Sequence, residues 1–274
     1  MRMSRIFAAG AAVVLSLILS RLSPADDWSE PLLKLKPQVR AQARNLRERM
    51  AAERESRDGV LTSEPSFAGR FDSSVPFDTQ SEMLRDLAFV RSIRGSGASG
   101  LHQEIFGEVD GPVYLDFFGS RVESIGLDAM KTGPGVMAYV SPLRGHSKVW
   151  LTRNYVGYSI PTIGKVEILF HESRHTEIRN RFWPHATCPK PFLDENGRDV
   201  RGMITGTPMA GEPACDRTPF GSYGSSMIMI KNIQKFCSNC TEKVKMDAGL
   251  YADDTLRRII DPAAKKAIKD DLYR

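Results

Sequence analysis

The chain has little that would tie it to nucleic acid, to phosphate or to a lipid bilayer. Its lysines and arginines form no basic run, and its aromatic residues, 8% of the total, form no platform on which bases could stack. The net charge of +5 therefore carries no argument for a nucleic-acid partner. GSGASG at 95–100 lacks the Lys-Ser/Thr ending of a phosphate loop and reads as a turn or hinge. Asp247, Asp253 and Asp254 do not have EF-hand spacing, and helix caps and surface roles account for them better than calcium. One long apolar run exists, from Ile6 to Leu19, and it is short for a hydrocarbon core of roughly 30 Å. Cysteine is scarce too: there are four, and only one CxxC, at 237–240. A four-cysteine metal cluster would have to recruit Cys188 and Cys215 at irregular spacing.

What is present begins with residues 1–25, MRMSRIFAAGAAVVLSLILSRLSPA. Arg2 and Arg5 precede the apolar run, and small residues at Ser23 and Ala25 offer a processing site, so the segment reads as an export signal. Without Arg2, Arg5 and Arg21 the charge falls from +5 to +2 over 249 remaining residues. That places the protein in a periplasmic or extracellular compartment, with no stable membrane span once the signal is removed. An even number of cysteines then favours disulfides. Three pairings are open, and Cys188 with Cys215 and Cys237 with Cys240 is preferred.

The expected organisation is an N-terminal helical arm and linker over 26–79, followed by one domain over 80–274, long enough to bury a substantial core. In the arm, Leu35, Val39, Leu46 and Met50 form an interrupted apolar stripe. The spacing of Met83, Leu84, Leu87 and Val90 predicts a short helix over 80–93. From residue 112, VYLDFF, RVESIGL, VMAYV and KVWLTRNYV are short runs rich in Val, Tyr, Phe and Leu that read as strands. At Pro161 the period changes, and PTIGKVEILFHESRHTEIRN reads as a helix continuing to 180, with a buried first half. SYGSSMIMIKNIQKFC reads as a helix, and its Met227, Met229, Ile230 run reads as core. After Cys240 two helical periods broken near Asp261-Pro262 turn Leu256, Ile259, Ile260 and Ile268 inward.

That helix carries HESRH. Residues four apart share a helix face, so His171 and His175 can direct two imidazoles at one metal ion. Glu172 lies beside them, suited to hold a water at the metal and take its proton. Ser173 and Arg174 face elsewhere, as packing or surface groups. Burying two neutral histidines and a glutamate without partners is costly, which favours the metal over a polar cluster.

HExxH on a helix that follows strands resembles the zincin metallopeptidases. The resemblance implies zinc, with His171 and His175 as ligands, Glu172 as general base in peptide hydrolysis, and an edge strand that pairs with extended substrate. SKVWLTRNYV at 147–156 is the expected counterpart of that strand. The chain departs from the metzincin pattern, having Ile178 and Arg181 where glycine and histidine would stand, and it has no convincing gluzincin glutamate; Glu195 lies in a turn-like segment. A softer resemblance, to an uncharacterised group of exported bacterial zincin-like proteins, rests on His171–His175, His185–Cys188, Cys215-Asp216 and Gly221–Gly224.

His185 is the first choice for third ligand, through a loop that returns after Trp183-Pro184. Asp216 is the alternative ligand, or the acceptor of the His185 N–H behind it; Glu177 and Glu212 are weaker candidates. A Cys188–Cys215 disulfide would hold the two regions together. Tyr223 is a candidate oxyanion donor or a packing residue, His146 is another donor candidate, and His102 reads as a loop histidine. The expectation is an α+β zincin-like fold, a small twisted sheet on an active-site helix with further helices. Its function would be zinc-dependent cleavage of peptide or protein, cell-wall peptides included. A non-catalytic zinc-stabilised exported protein, or another metal-dependent amidase, is the alternative.

Overall fold

A small sheet and three helices hold one helix in place, and that helix carries HESRH. The computed structural model describes residues 65–274 apart from 131, 132 and 134. The export segment and the 29–53 arm lie outside the described residues, among which no helix is long and apolar enough to cross a membrane. The elements in chain order are α1 (Pro65–Ala68), α2 (Phe77–Ser92), α3 (Gly100–Ile105), α4 (Gly111–Gly119), β1 (Ser124–Asp128), β2 (Ala138–Val140), β3 (Lys148–Thr152), α5 (Arg153–Gly157), α6 (Thr162–Arg174), α7 (Ser222–Phe236), α8 (Glu242–Leu256) and α9 (Pro262–Leu272).

The fold is α+β. The sheet is mixed, in the order β1-β3-β2, with β1 parallel and β2 antiparallel to β3. β3 is therefore central, and its position rules out the expectation that 147–156 supplies the edge. Val149 and Leu151 are buried on one face of β3 while Lys148 and Trp150 on the other are half-buried, and residues 153–157 turn into α5. β1 and β2 are the edges; β1 is bridged by Phe71 at Ile125, and β2 packs against α6. VYLDFF is also not a strand. Pro112 stands at the start of α4, where its missing N–H costs nothing. Tyr114, Leu115, Phe117 and Phe118 then fall at helical spacing and are buried; their β-prone composition is overridden by that packing.

α2 is buried along Met83, Leu84, Leu87 and Val90, the predicted stripe. α7 is buried on most sides, with Met227, Ile228, Met229, Ile230 and Ile233 fully inaccessible. It lies against both α6 and α8, so α6 is enclosed by β2, α2, α7 and α8. Gly164 permits the closest of these approaches: a Cβ there would stand 2.5 Å from the Tyr251 ring of α8.

Between α6 and α7 runs a long irregular segment with its own small core. Cys188, Phe192, Val200, Met209 and Cys215 cluster there around the Cys188–Cys215 disulfide. The second disulfide joins Cys237 and Cys240, so the preferred pairing is the one formed.

Candidate metal centre

α6 ends at Arg174, with His175 as its C-cap still in helical conformation. It does not continue to 180. The chain instead makes a short 3-10 turn, Ile178–Asn180, and then places three consecutive non-glycine residues at positive φ, Arg181 (53°), Phe182 (64°) and Trp183 (44°). This reversal brings His185 back over the end of α6. His175 Nε2 lies 3.2 Å from His171 Nε2 and 3.0 Å from His185 Nε2, and the three ligand atoms fall within 4.8 Å of one another.

The partners of the outer ring nitrogens decide what those short distances mean. His175 Nδ1 stands 2.7 Å from the Phe182 carbonyl oxygen, which can only accept, so the proton is on Nδ1 and Nε2 carries a lone pair. His185 Nδ1 donates to Asp216 Oδ1 at 3.1 Å, which in the neutral ring leaves a lone pair on its Nε2 as well. Two facing lone pairs at 3.0 Å repel unless a cation sits between them. The donor set therefore fits a divalent ion, and three imidazoles suit zinc. Burial pushes the His171 imidazole well below its ordinary pKa, with His175 and His185 adding to the effect. Burial, then His185, pushes His175 down to about 4. Both are neutral ligands at physiological pH.

Asp216, 3% exposed, is the acceptor behind His185 and not a ligand. Its second oxygen accepts the Tyr223 and Gly224 amides at 2.8 and 3.2 Å, capping the first turn of α7. Gly221 leaves room for it, since a Cβ at 221 would come within 2.4 Å of Oδ2.

Glu172 is 5% exposed. Its Oε1 lies 4.0 Å from His171 Nε2, and its Oε2 is buried with no hydrogen-bond partner among the described residues. Burial raises the carboxyl to about 8, against the pull of the Val140 amide on edge strand β2. Tyr223 packs its ring 4.2 Å from that of His171 and 4.6 Å from that of His185. A cleft of about 300 Å³ opens beside His185, lined by Trp183, Pro184, Asp216, Arg217, Thr218 and Gly221.

The remaining sequence candidates are accounted for elsewhere. Ser173 is fully buried and donates to Phe170 O at 2.7 Å. Arg174 is buried as well, bonded to Glu177 and to Phe220 O. His102 is not a loop residue but a buried one in α3, its ring nitrogens 2.9 Å from Gly107 O and 2.7 Å from Tyr114 Oη. His146 is exposed and outside the histidine cluster. Glu212 and Glu195 are exposed loop residues outside that cluster. Glu177 is not a ligand; it accepts from Arg121, Arg174, Asn180 and Trp183 at 2.6–2.8 Å. Sequence reasoning missed that role and the Phe182 carbonyl, and a main-chain oxygen leaves no mark in side-chain pattern.

HExxH with a third histidine, a buried glutamate beside it and a helix packed on a small sheet is the arrangement of a zincin-type metal site, the site of a metal-dependent hydrolase. Comparison with protein-family models, with curated proteins and with solved structures found no match for this chain. The class rests on the geometry.

Proposed function

We propose that this chain is an exported zinc-dependent peptidase, with residues 1–25 as export signal, 26–79 as arm and linker, and 80–274 as catalytic domain. The observation that carries the proposal is the convergence of three imidazole nitrogens beside a buried carboxylate oxygen that has no partner of its own. Zinc held by His171, His175 and His185 supplies a Lewis acid that polarises a carbonyl and acidifies water.

The chain's own groups do the rest. Glu172, raised to about 8 by burial, would be drawn back to its ionised form by a divalent charge beside it; it then takes a proton from the attacking water at a carboxylate oxygen and passes it to the leaving amide nitrogen. Tyr223 Oη, which makes no hydrogen bond among the described residues, donates to the carbonyl oxygen as negative charge develops there. Edge strand β2 beside Glu172 receives an extended peptide antiparallel to itself. The two disulfides support export to an oxidising compartment. Protein and the peptide stems of cell wall present the same amide electrophile and are both within this reading.

Purified full-length protein should contain about one zinc per chain and cleave members of a mixed peptide library. Glu172→Gln should keep fold and zinc while losing roughly 10²–10⁴-fold in turnover, and His185→Ala should lose zinc. A folded, zinc-loaded protein whose hydrolysis does not depend on Glu172 would refute the proposal.

A further inference from the structure

Arg258 follows α8, and its carbonyl accepts the Asp216 amide at 2.9 Å, which ties it to the segment supporting His185. Its guanidinium carbon lies 4.4 Å from the centre of the Tyr223 ring. That ring in turn lies 4.2 Å and 4.6 Å from the rings of His171 and His185. A positive charge thus stands within about 9 Å of both imidazoles.

The charge has no ion-pair partner among the described residues. Among the described residues the Arg258 side chain forms no hydrogen bond and no ion pair, and its Nε is buried without a partner. Two carboxyls feel its field, Glu167 and Asp254, but both are engaged elsewhere. Glu167 accepts from Thr255 Oγ1 at 2.6 Å, and Asp254 pairs with Arg257 at 3.4 Å. Burial also pushes both carboxyls up, away from the charged form. Arg258 is half-buried with its Nε out of water, where a donor is seldom left unpaired, and its planar fork matches a carboxylate. The stacked Tyr223 ring holds the guanidinium in place without using its donors.

On the peptidase reading, we infer that Arg258 is the carboxylate-recognition residue of the substrate site. It receives a carboxylate carried next to the scissile bond, either the free C-terminus of the peptide or an aspartate or glutamate side chain.

Calorimetry on zinc-loaded full-length protein with four short peptidyl hydroxamates tests this, because the hydroxamate reports the metal site whatever lies beyond it. One probe ends in a free carboxylate and one is its amide; the third is amidated and carries Glu, and the fourth carries Gln in its place. One acidic probe should bind about tenfold or more tighter than its neutral twin, and the pair that differs identifies the source of the carboxylate. Arg258→Met should abolish the difference and Arg258→Lys should keep part of it. If acidic and neutral twins bind wild type equally, or the difference survives Arg258→Met, this inference falls while the metal site stands. If none of the four binds, the metal-site reading falls and takes the inference with it.

Discussion

Asp216 serves three donors with two oxygens, and each bond does a different job. Its bond to His185 Nδ1 fixes the tautomer that turns a lone pair toward the other histidines; its bonds to the Tyr223 and Gly224 amides start α7 and anchor the backbone under Tyr223. Asp216→Asn can keep only some of these, because its amide nitrogen donates where a carboxylate accepted. Zinc affinity should fall roughly 10–100-fold, the usual cost of losing the group behind a ligand histidine, with a further loss of about 1 kcal/mol from the cap. Competition with a chromophoric chelator and thermal unfolding would measure the two separately. Gly221→Ala should reproduce the affinity loss by pushing the carboxylate aside. Unchanged affinity in Asp216→Asn would show that His185 is held by something else. The sequence exposes Asp216 as either ligand or acceptor, but the choice depends on how a chain segment 31 residues from His185 lies across it, which no local pattern encodes.

Among the elements, the reversal after α6 decides whether a third nitrogen reaches the metal. Left-handed backbone costs a non-glycine residue about 1–2 kcal/mol, and Arg181, Phe182 and Trp183 adopt it in succession. Glu177 holds the turn: its carboxylate takes charged donors from Arg121 and Arg174 and also bonds Asn180 and the Trp183 indole, and its carbonyl accepts the Phe182 amide. Glu177→Gln keeps the size but donates toward groups that also donate. It should loosen the turn, lower zinc affinity and alter the visible spectrum of the cobalt-substituted protein, since both Phe182 O and His185 depend on the reversal. Arg181→Gly, exposed and at φ 53°, should raise stability by about 0.5–1 kcal/mol with the spectrum unaltered. A Glu177→Gln spectrum identical to wild type would show that the turn stands without the clamp. Local pattern revealed α2, most of α6, α7 and the two terminal helices, because their apolar periods are long. It fails where tertiary context chooses among short segments: β-prone aromatics mask α4, nothing in KVWLT marks β3 as central rather than edge, and nothing in TEIRN breaks a helix at the α6 C-cap.

Across the whole molecule, enclosing α6 on every side strands carboxyls that water would otherwise ionise. Burial raises Asp86, on the α2 face toward α6, to about 7, although Thr162 and Lys165 nearby favour its charged form, and its Oδ2 has no hydrogen-bond partner among the described residues. Burial likewise raises Glu167 to about 7. The unfolded chain ionises Asp86 near its ordinary value of 3.8, so between that pH and about 7 the native state holds a proton that the unfolded state has released. The associated stability is fully present below the unfolded value and is lost as pH rises through about 7. Asp86→Asn removes the ionisation and keeps the shape. Measured in chelator, so that metal loss from the histidines does not enter, the variant should gain on wild type as pH rises from about 4 to 8, by roughly 1–3 kcal/mol at the upper end. A constant difference between the two proteins across that range in urea titrations would mean that Asp86 stays ionised in the folded state, and the tight closure of α2 on α6 would then need another explanation.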